Sequence, residues 1–181
     1  MARFAPDATY LTYRDVTPTD LSAAGVSALV LDIDNTLAPY EQPEPDDDIR
    51  AWLDGMRQAG IRVGFLSNNH GERVTLFNKT LGLPVLFDAH KPLVKKARRM
   101  IVLLQAVPAN TVFLGDQIFT DIWTAHRVGA RGFLVPPIKD KTDLLTRFKR
   151  RLEKGVLRRY YKKNPTAPDV RPAPKKKGGR A

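Results

Sequence analysis

The sequence predicts an α/β fold, a Rossmann-like parallel sheet flanked by helices, and three observations carry that prediction. Five short apolar runs, rich in β-branched residues, lack the strict alternation of a half-exposed strand and suit strands buried on both faces. Between them, apolar residues recur at helical spacing. Strand and helix then repeat along one chain, which implies right-handed crossovers between parallel strands. At 181 residues with 43% hydrophobic content, the chain can bury the core of one folded domain.

Thr17-Pro18-Thr19-Asp20 has the N-cap, N1 proline and N3 acid of a short helix. Residues 27–33 (SALVLDI) form the first buried strand. Asp46-Asp47-Asp48 suits the positive end of a helix dipole. Behind it, Ile49, Trp52, Leu53 and Met56 repeat at i, i+3, i+4 and i+7 until Gly60 closes the helix. Residues 61–67 (IRVGFLS) are the second strand, 72–81 a helix with Val74, Phe77 and Leu81 on one face, and 84–87 the third strand. From about Pro92 a helix turns Leu93, Ala97, Met100, Ile101 and Leu104 inward and Lys95, Lys96, Arg98 and Arg99 outward. Residues 111–114 (TVFL), 118–128 and 132–135 supply the fourth strand, another helix and the fifth strand.

Charge divides the chain in two. Residues 141–181 hold 15 Lys and Arg against Asp143, Glu153 and Asp169, a net of +12, whereas residues 1–140 carry a net of −1. The division predicts a domain over 1–140, a basic amphipathic helical extension over 141–163, and a disordered basic tail over 164–181. In the extension Leu145, Phe148, Leu152 and Val156 share one side of the helix, among arginines and lysines. Such a stretch suits an anionic membrane surface, RNA, or packing on the domain.

Several classes of chemistry are excluded. With no cysteine there is no disulfide scaffold, thiolate zinc site or thiol nucleophile, and His70, His90 and His126 are too scattered for a histidine metal cage. No apolar run approaches the ~20 residues of a membrane span, and the first 15 residues lack a signal-peptide core. A cytoplasmic protein is expected, peripheral at the inner membrane face if the extension takes it there. Any catalysis must come from carboxylates, hydroxyls and lysines.

Those groups stand where a doubly wound sheet binds ligands, at the carboxyl ends of the strands. Strand one ends in Asp32-Ile33-Asp34-Asn35-Thr36, strand two in Ser67-Asn68-Asn69, and strand three in His90-Lys91-Pro92. Strand four runs into Gly115-Asp116-Gln117-Ile118-Phe119-Thr120-Asp121. Acids gathered at one edge repel each other unless a cation neutralises them, and an all-oxygen ligand set favours Mg²⁺ with a phosphate ligand. A lysine and a hydroxyl beside them are donors for a phosphoryl group. A bend after Asp32 would let one carboxylate attack phosphorus while the other protonates the leaving oxygen and then activates water. Any one cluster alone is commonly a turn or a solvated pair. The reading rests on all four.

Taken in order, hydrophobic-Asp-x-Asp-x-Thr, strand-end Ser, Lys and Gly-Asp-x-x-x-x-Asp resemble the haloacid dehalogenase (HAD) phosphatase superfamily over roughly residues 25–135. LDIDNTLAPYE, SNN, HKP and GDQIFTD are similar to its YqeG-type HAD-IIIA subfamily. The resemblance implies a HAD-type fold with Asp32 as nucleophile and metal ligand, and Asp34 as acid/base that also ligates metal through its backbone carbonyl. It further implies Ser67, Asn68 and Lys91 on the substrate phosphate and Asp116 on Mg²⁺, with Asp121 supporting the metal shell or orienting Lys91. The intervals from Asp34 to Ser67 and from Ser67 to Lys91 leave no room for a cap domain, so large phosphomonoesters can reach the site. Eukaryotic relatives in the resembled group point to phosphatidylglycerophosphate, a lipid head-group phosphate. The alternatives are phosphorylated nucleic-acid ends, phosphoproteins, or an RNA- or ribosome-associated protein recruited through its basic tail.

Overall fold

The computed structural model of the chain describes residues 3–139 and 144–170, with side chains of the second stretch described from residue 151. One fully parallel sheet contains β1 (Ala8–Thr9), β2 (Ala28–Leu31), β3 (Arg62–Leu66), β4 (Val85–Leu86), β5 (Thr111–Gly115) and β6 (Arg131–Leu134), in the order β1-β6-β5-β2-β3-β4. Five of these strands lie within a residue or two of the predicted runs. The sequence does not predict β1, because a two-residue edge strand leaves no hydrophobic period. It is held by backbone bonds from Asp7 N–H to the Gly132 carbonyl and from Tyr10 N–H to the Leu134 carbonyl.

The helices are α1 (Pro18–Ala23), α2 (Asp47–Gln58), α3 (Gly71–Asn78), α4 (Lys95–Leu103), α5 (Trp123–Val128) and α6 (Leu144–Lys163). Two of the predicted caps form: Thr17 Oγ1 accepts from Asp20 N–H at 3.1 Å, and Asp46 Oδ1 from Ile49 N–H at 2.8 Å. Alternate residues of the central strands feed two separate layers, as a parallel sheet covered on both faces requires. Leu29, Leu31 and Phe65 pack with Leu53 and Met56 of α2 and Val74 and Phe77 of α3. Ala28, Val30 and Phe113 pack with Ala97, Met100 and Ile101 of α4 and Ala125 of α5.

Strand order reverses at β2, where the chain first builds outward through β3 and β4 and then returns to the other side through β5 and β6. The carboxyl ends of β2, β3 and β5 therefore frame a crevice. No domain interrupts the two intervals the sequence marks as too short for a cap. One holds α2, the other α3 and β4.

Two details of the helices depart from the sequence reading. α4 begins at Lys95, so Leu93 lies before its first turn and is 57% exposed instead of facing inward. Residues Ile118–Ile122 form a turn of π-helix before α5. Among the described residues, no helix is long and apolar enough to cross a membrane.

Among its described side chains, α6 packs through more than the predicted face, and Val156 of that face is only partly buried. Glu153, Leu157 and Tyr160 are buried, with Leu157 set among Ile118, Ile122, Leu134 and Val170, while Leu152 is half exposed. The predicted disordered tail begins at residue 164, yet residues 164–170 return to the domain. Thr9 Oγ1 donates to the Pro168 carbonyl at 2.8 Å, Val170 N–H donates to Tyr161 Oη at 2.9 Å, and Val170 is buried. Leu145 and Phe148, and the tail from 171 to 181, lie outside the described side chains and residues. Leu157→Ala should lower the stability of the whole domain by about 2–4 kcal/mol, read from urea unfolding, because the deletion opens a cavity against β6. A loss below about 0.5 kcal/mol, typical of a surface site, would show that α6 does not pack there.

Candidate active site

Asp32 follows the last residue of β2, and its N–H still donates to the Leu114 carbonyl of β5 at 3.0 Å. The ladder ends there. Asn35 enters the left-handed region at φ 65°, which Asn tolerates, and its N–H donates to the Ala38 carbonyl at 2.8 Å. This is the bend that a division of labour between Asp32 and Asp34 requires. Asp32 remains fixed in the sheet while Asp34 is carried by the turn.

Ser67 follows β3, is 1% exposed, and its Oγ accepts from Asn69 N–H at 3.0 Å. Asn68 is exposed, and its side chain clips the Lys91 backbone from both sides. Its Oδ1 accepts from Lys91 N–H at 2.6 Å and its Nδ2 donates to the Lys91 carbonyl at 3.2 Å. That clip sets the path of the segment after β4 and delivers the Lys91 ammonium to Asp32 Oδ1 at 2.9 Å and Asp121 Oδ1 at 2.6 Å.

Asp116 follows β5 and is 2% exposed. Asp121 lies in the π turn, where its Oδ2 accepts from Gln117 N–H at 3.1 Å and Thr120 Oγ1 at 3.3 Å. Gly115 makes this packing possible, since a Cβ on it would overlap the Asp121 carboxylate. Gly115→Ala should therefore cut turnover by at least tenfold, by displacing Asp121 and with it Lys91, while circular dichroism stays native. Full activity in that variant would refute the packing argument. The loop is closed from outside by α6, where Glu153 Oε1 accepts from Ile118 N–H at 3.0 Å.

One carboxylate oxygen each from Asp32, Asp116 and Asp121 lies within 4.8 Å of the others. Burial pushes the Asp32 carboxyl up to about 8. Lys91 opposes the shift, and the Asp121 and Asp116 charges add to it. For Lys91, burial works against the charge, but Asp121 and Asp32 outweigh it and hold the ammonium above the ordinary lysine range. With all three carboxyls ionised, one ammonium leaves an excess of buried negative charge, which the raised Asp32 value reflects and a hard divalent cation would relieve.

Asp32, Asp34, Ser67, Asn68 and Lys91 all line one cleft of about 240 Å³, with Asn69, Tyr40 and Thr120. Asp116 and Asp121 are buried beside it. The residues the sequence reading singled out are thus brought together. That reading misses Arg73 and gives Asn69 no role of its own. Arg73 Nη2 stands 3.3 Å from Asp34 Oδ1, and Asn69 Nδ2 donates to Asp34 Oδ2 at 3.0 Å. The signal for Arg73 is its place in the first turn of α3, the helix that follows the Ser67 strand end.

Comparison with known proteins agrees with this geometry. Residues 2–137 match the family described as mitochondrial PGP phosphatase. The chain is 32% identical over 154 residues to the probable phosphatase YqeG of Bacillus subtilis (strain 168), an alignment covering 85% of this chain and 90% of that protein. Two solved structures share the fold at a TM-score of 0.50. One is an uncharacterized protein from Listeria monocytogenes serotype 4b, 16% identical, with 65% of this chain and 85% of that one covered. The other is the cobalt-bound deoxy-D-mannose-octulosonate 8-phosphate phosphatase of Haemophilus influenzae, 14% identical, with 76% and 90% covered. With three quarters of its length matched, and its strand-end residues gathered in one cleft, the chain belongs to the mitochondrial PGP phosphatase family and is a HAD-type phosphatase.

Proposed function

We propose that this phosphatase hydrolyses a phosphomonoester through an aspartyl-phosphate on Asp32, with Mg²⁺ as cofactor and phosphatidylglycerophosphate as the substrate. The observation that carries the reading is the buried Asp32 carboxylate, fixed by β2 at the mouth of the cleft and held by Lys91 at 2.9 Å. Asp32 attacks phosphorus, and the bond from phosphorus to the leaving oxygen breaks as Asp34 gives that oxygen its proton. Asp34, now a carboxylate, takes a proton from water as the water attacks the phosphorus. The bond to Asp32 then breaks, releasing phosphate and the free carboxylate. Ser67 Oγ accepts from Asn69 N–H, which leaves its own proton to donate to a phosphoryl oxygen, and Lys91 neutralises the same group.

Asp32, Asp116 and the Asp34 backbone carbonyl would hold the Mg²⁺. A bound divalent ion supplies charge neutralisation at the phosphoryl oxygens. Both Asp121 oxygens are engaged by Lys91, Gln117 and Thr120, which favours its role as the orienter of Lys91. For the substrate, the family match and the uncapped cleft support a phosphate at a lipid surface. The exposed Arg151, Lys154, Arg158 and Arg159 of α6 suit an anionic surface by charge, while Leu157 and Tyr160 are spent on packing.

Phosphate release by the full chain decides the matter with three substrates: phosphatidylglycerophosphate in mixed micelles, a 3′-phosphorylated oligonucleotide and a phosphopeptide, each with and without Mg²⁺. The highest kcat/KM is expected on the lipid and only with Mg²⁺. Preference for either of the others would overturn the substrate, and metal-independent turnover would overturn the cofactor.

A further inference from the structure

Asp34 stands on a turn outside the sheet, so something other than the β-ladder must hold its side chain still. Two groups from the segment after β3 do so. Arg73, in the first turn of α3, places Nη2 3.3 Å from Asp34 Oδ1, and Asn69 Nδ2 donates to Oδ2 at 3.0 Å. The guanidinium is itself anchored. Nη1 donates to the Pro43 carbonyl at 3.2 Å, the charge lies 5.2 Å from the centre of the Phe77 ring, and the side chain is only 12% exposed. Pro43 belongs to the loop that runs from the Asp34 turn toward α2, on the interval where capped relatives of this fold would carry an insertion. Arg73 thus joins α3, that loop and Asp34.

The cost of this arrangement argues that it is functional. The Nε and Nη2 atoms of Arg73 are buried and make no hydrogen bond of good geometry. Burying a guanidinium so incompletely paired is unfavourable for stability alone. The lining of the cleft does not include Arg73, so it acts through Asp34 and not on the substrate directly.

We infer that Arg73, with Asn69, is a positioning residue that fixes the Asp34 carboxyl over the leaving oxygen of the phosphomonoester. This inference rests on the acid/base role proposed for Asp34. Proton donation demands hydrogen-bond reach, about 2.6–3.2 Å between heavy atoms, and a carboxyl swinging on a turn would lose that reach for much of the time. The β2 ladder performs this service for Asp32. Arg73 and Asn69 perform it for Asp34.

Leaving-group dependence separates positioning from simple structural damage. An alkyl phosphate needs its leaving oxygen protonated, whereas p-nitrophenyl phosphate expels a stable phenolate without help. Arg73→Met, which keeps the aliphatic contact with Phe77, should lower kcat/KM on an alkyl phosphate by about 100-fold, within the span general acid catalysis contributes. On p-nitrophenyl phosphate the loss in kcat/KM should stay below about fivefold, because kcat/KM reports the transfer to Asp32 and phenolate departs in that step without a proton. Arg73→Lys should recover part of the alkyl rate. Asn69→Ala, which removes the donor to Asp34 Oδ2 along with the acceptor of the His70 N–H but leaves the buried Arg73 in place, should show the same selectivity and carries the test if Arg73→Met fails to fold.

Equal losses on both substrates, or no loss on either, would overturn the inference while leaving the phosphatase reading in place. The wild-type chain and Asp32→Asn are run alongside. A wild type that hydrolyses both substrates while Asp32→Asn hydrolyses neither confirms the reaction on which the comparison depends. Turnover of both by Asp32→Asn would overturn the reading of the site, and the inference with it.

Discussion

Replacing Asp32 by Asn should abolish phosphate release and, in metal-free protein at neutral pH, raise the melting temperature. The first effect follows from chemistry. An amide neither attacks phosphorus nor forms an acyl phosphate, and loss of a covalent nucleophile costs at least about a thousandfold in turnover. The second follows from burial. The Asp32 carboxyl titrates near 8 in the folded protein against an ordinary value of 3.8, so the folded state binds this proton more tightly than the unfolded state does. Stability associated with Asp32 is therefore full below about pH 4 and falls as pH rises toward 8, where the charge is carried at its whole cost. Asn carries no charge through that window, so the variant should lose less stability between pH 5 and pH 8. Thermal unfolding at both pH values in the presence of a chelator measures this. An Asp32→Asn variant less stable than wild type at pH 8 would mean that Lys91 outweighs burial and stabilises Asp32 in its ionised form. Added Mg²⁺ should stabilise the wild type more than the variant, since the variant lacks one ligand charge.

Lys91→Met is the second large effect, and it runs in the opposite direction. The ammonium is 3% exposed and touches Asp32 and Asp121, which leaves both carboxylates buried without their cation once it is removed. Breaking a buried pair from one side costs about 3–5 kcal/mol. Because the folded state holds the Lys91 proton more tightly than the unfolded chain, its contribution is complete below the ordinary lysine value of 10.5 and is lost only as pH rises past it. The destabilisation should therefore be present throughout the physiological range. Acid should lessen it, since protonating Asp32 removes one of the stranded charges. Urea unfolding at pH 5 and pH 8 should show the larger loss at pH 8. Mg²⁺ should recover part of the stability and none of the turnover, because no ammonium remains to neutralise the phosphoryl group. A variant as stable as wild type at pH 8 in chelator would remove the charge argument for the whole site.

The residues proposed to do the chemistry are legible because each follows a buried apolar run. Asp32, Ser67 and Asp116 come directly after β2, β3 and β5, and an apolar segment of four or five residues followed by a polar one marks the end of a strand without any knowledge of the fold. Lys91 is legible only by company. What holds it in place, the Asn68 clip on its backbone, requires two loops to meet and leaves no sequence period. α6 shows the same limit. Its spacing points to a face through Leu152, whereas the structure buries Leu157. The inward side also carries Glu153, which meets the Ile118 N–H across the domain. The fate of residues 164–170 depends likewise on Thr9 and Tyr161.

By itself the sequence determined the α/β alternation, the order of the strand-end clusters, the absence of a cap and the contrast between a near-neutral domain and a basic extension. All of these follow from periodicity, interval and composition, which are local properties. Only the tertiary structure decided which groups meet the candidate reacting ones: Asn68 on Lys91, Asp121 on its ammonium, Arg73 and Asn69 on Asp34, and Glu153 on the loop between the two buried aspartates. Each of these joins residues 23 to 39 positions apart, and side chains so placed have no shared period in the chain. Candidate catalytic groups are set by what each strand presents at its end. Their supports are set by which strand ends become neighbours.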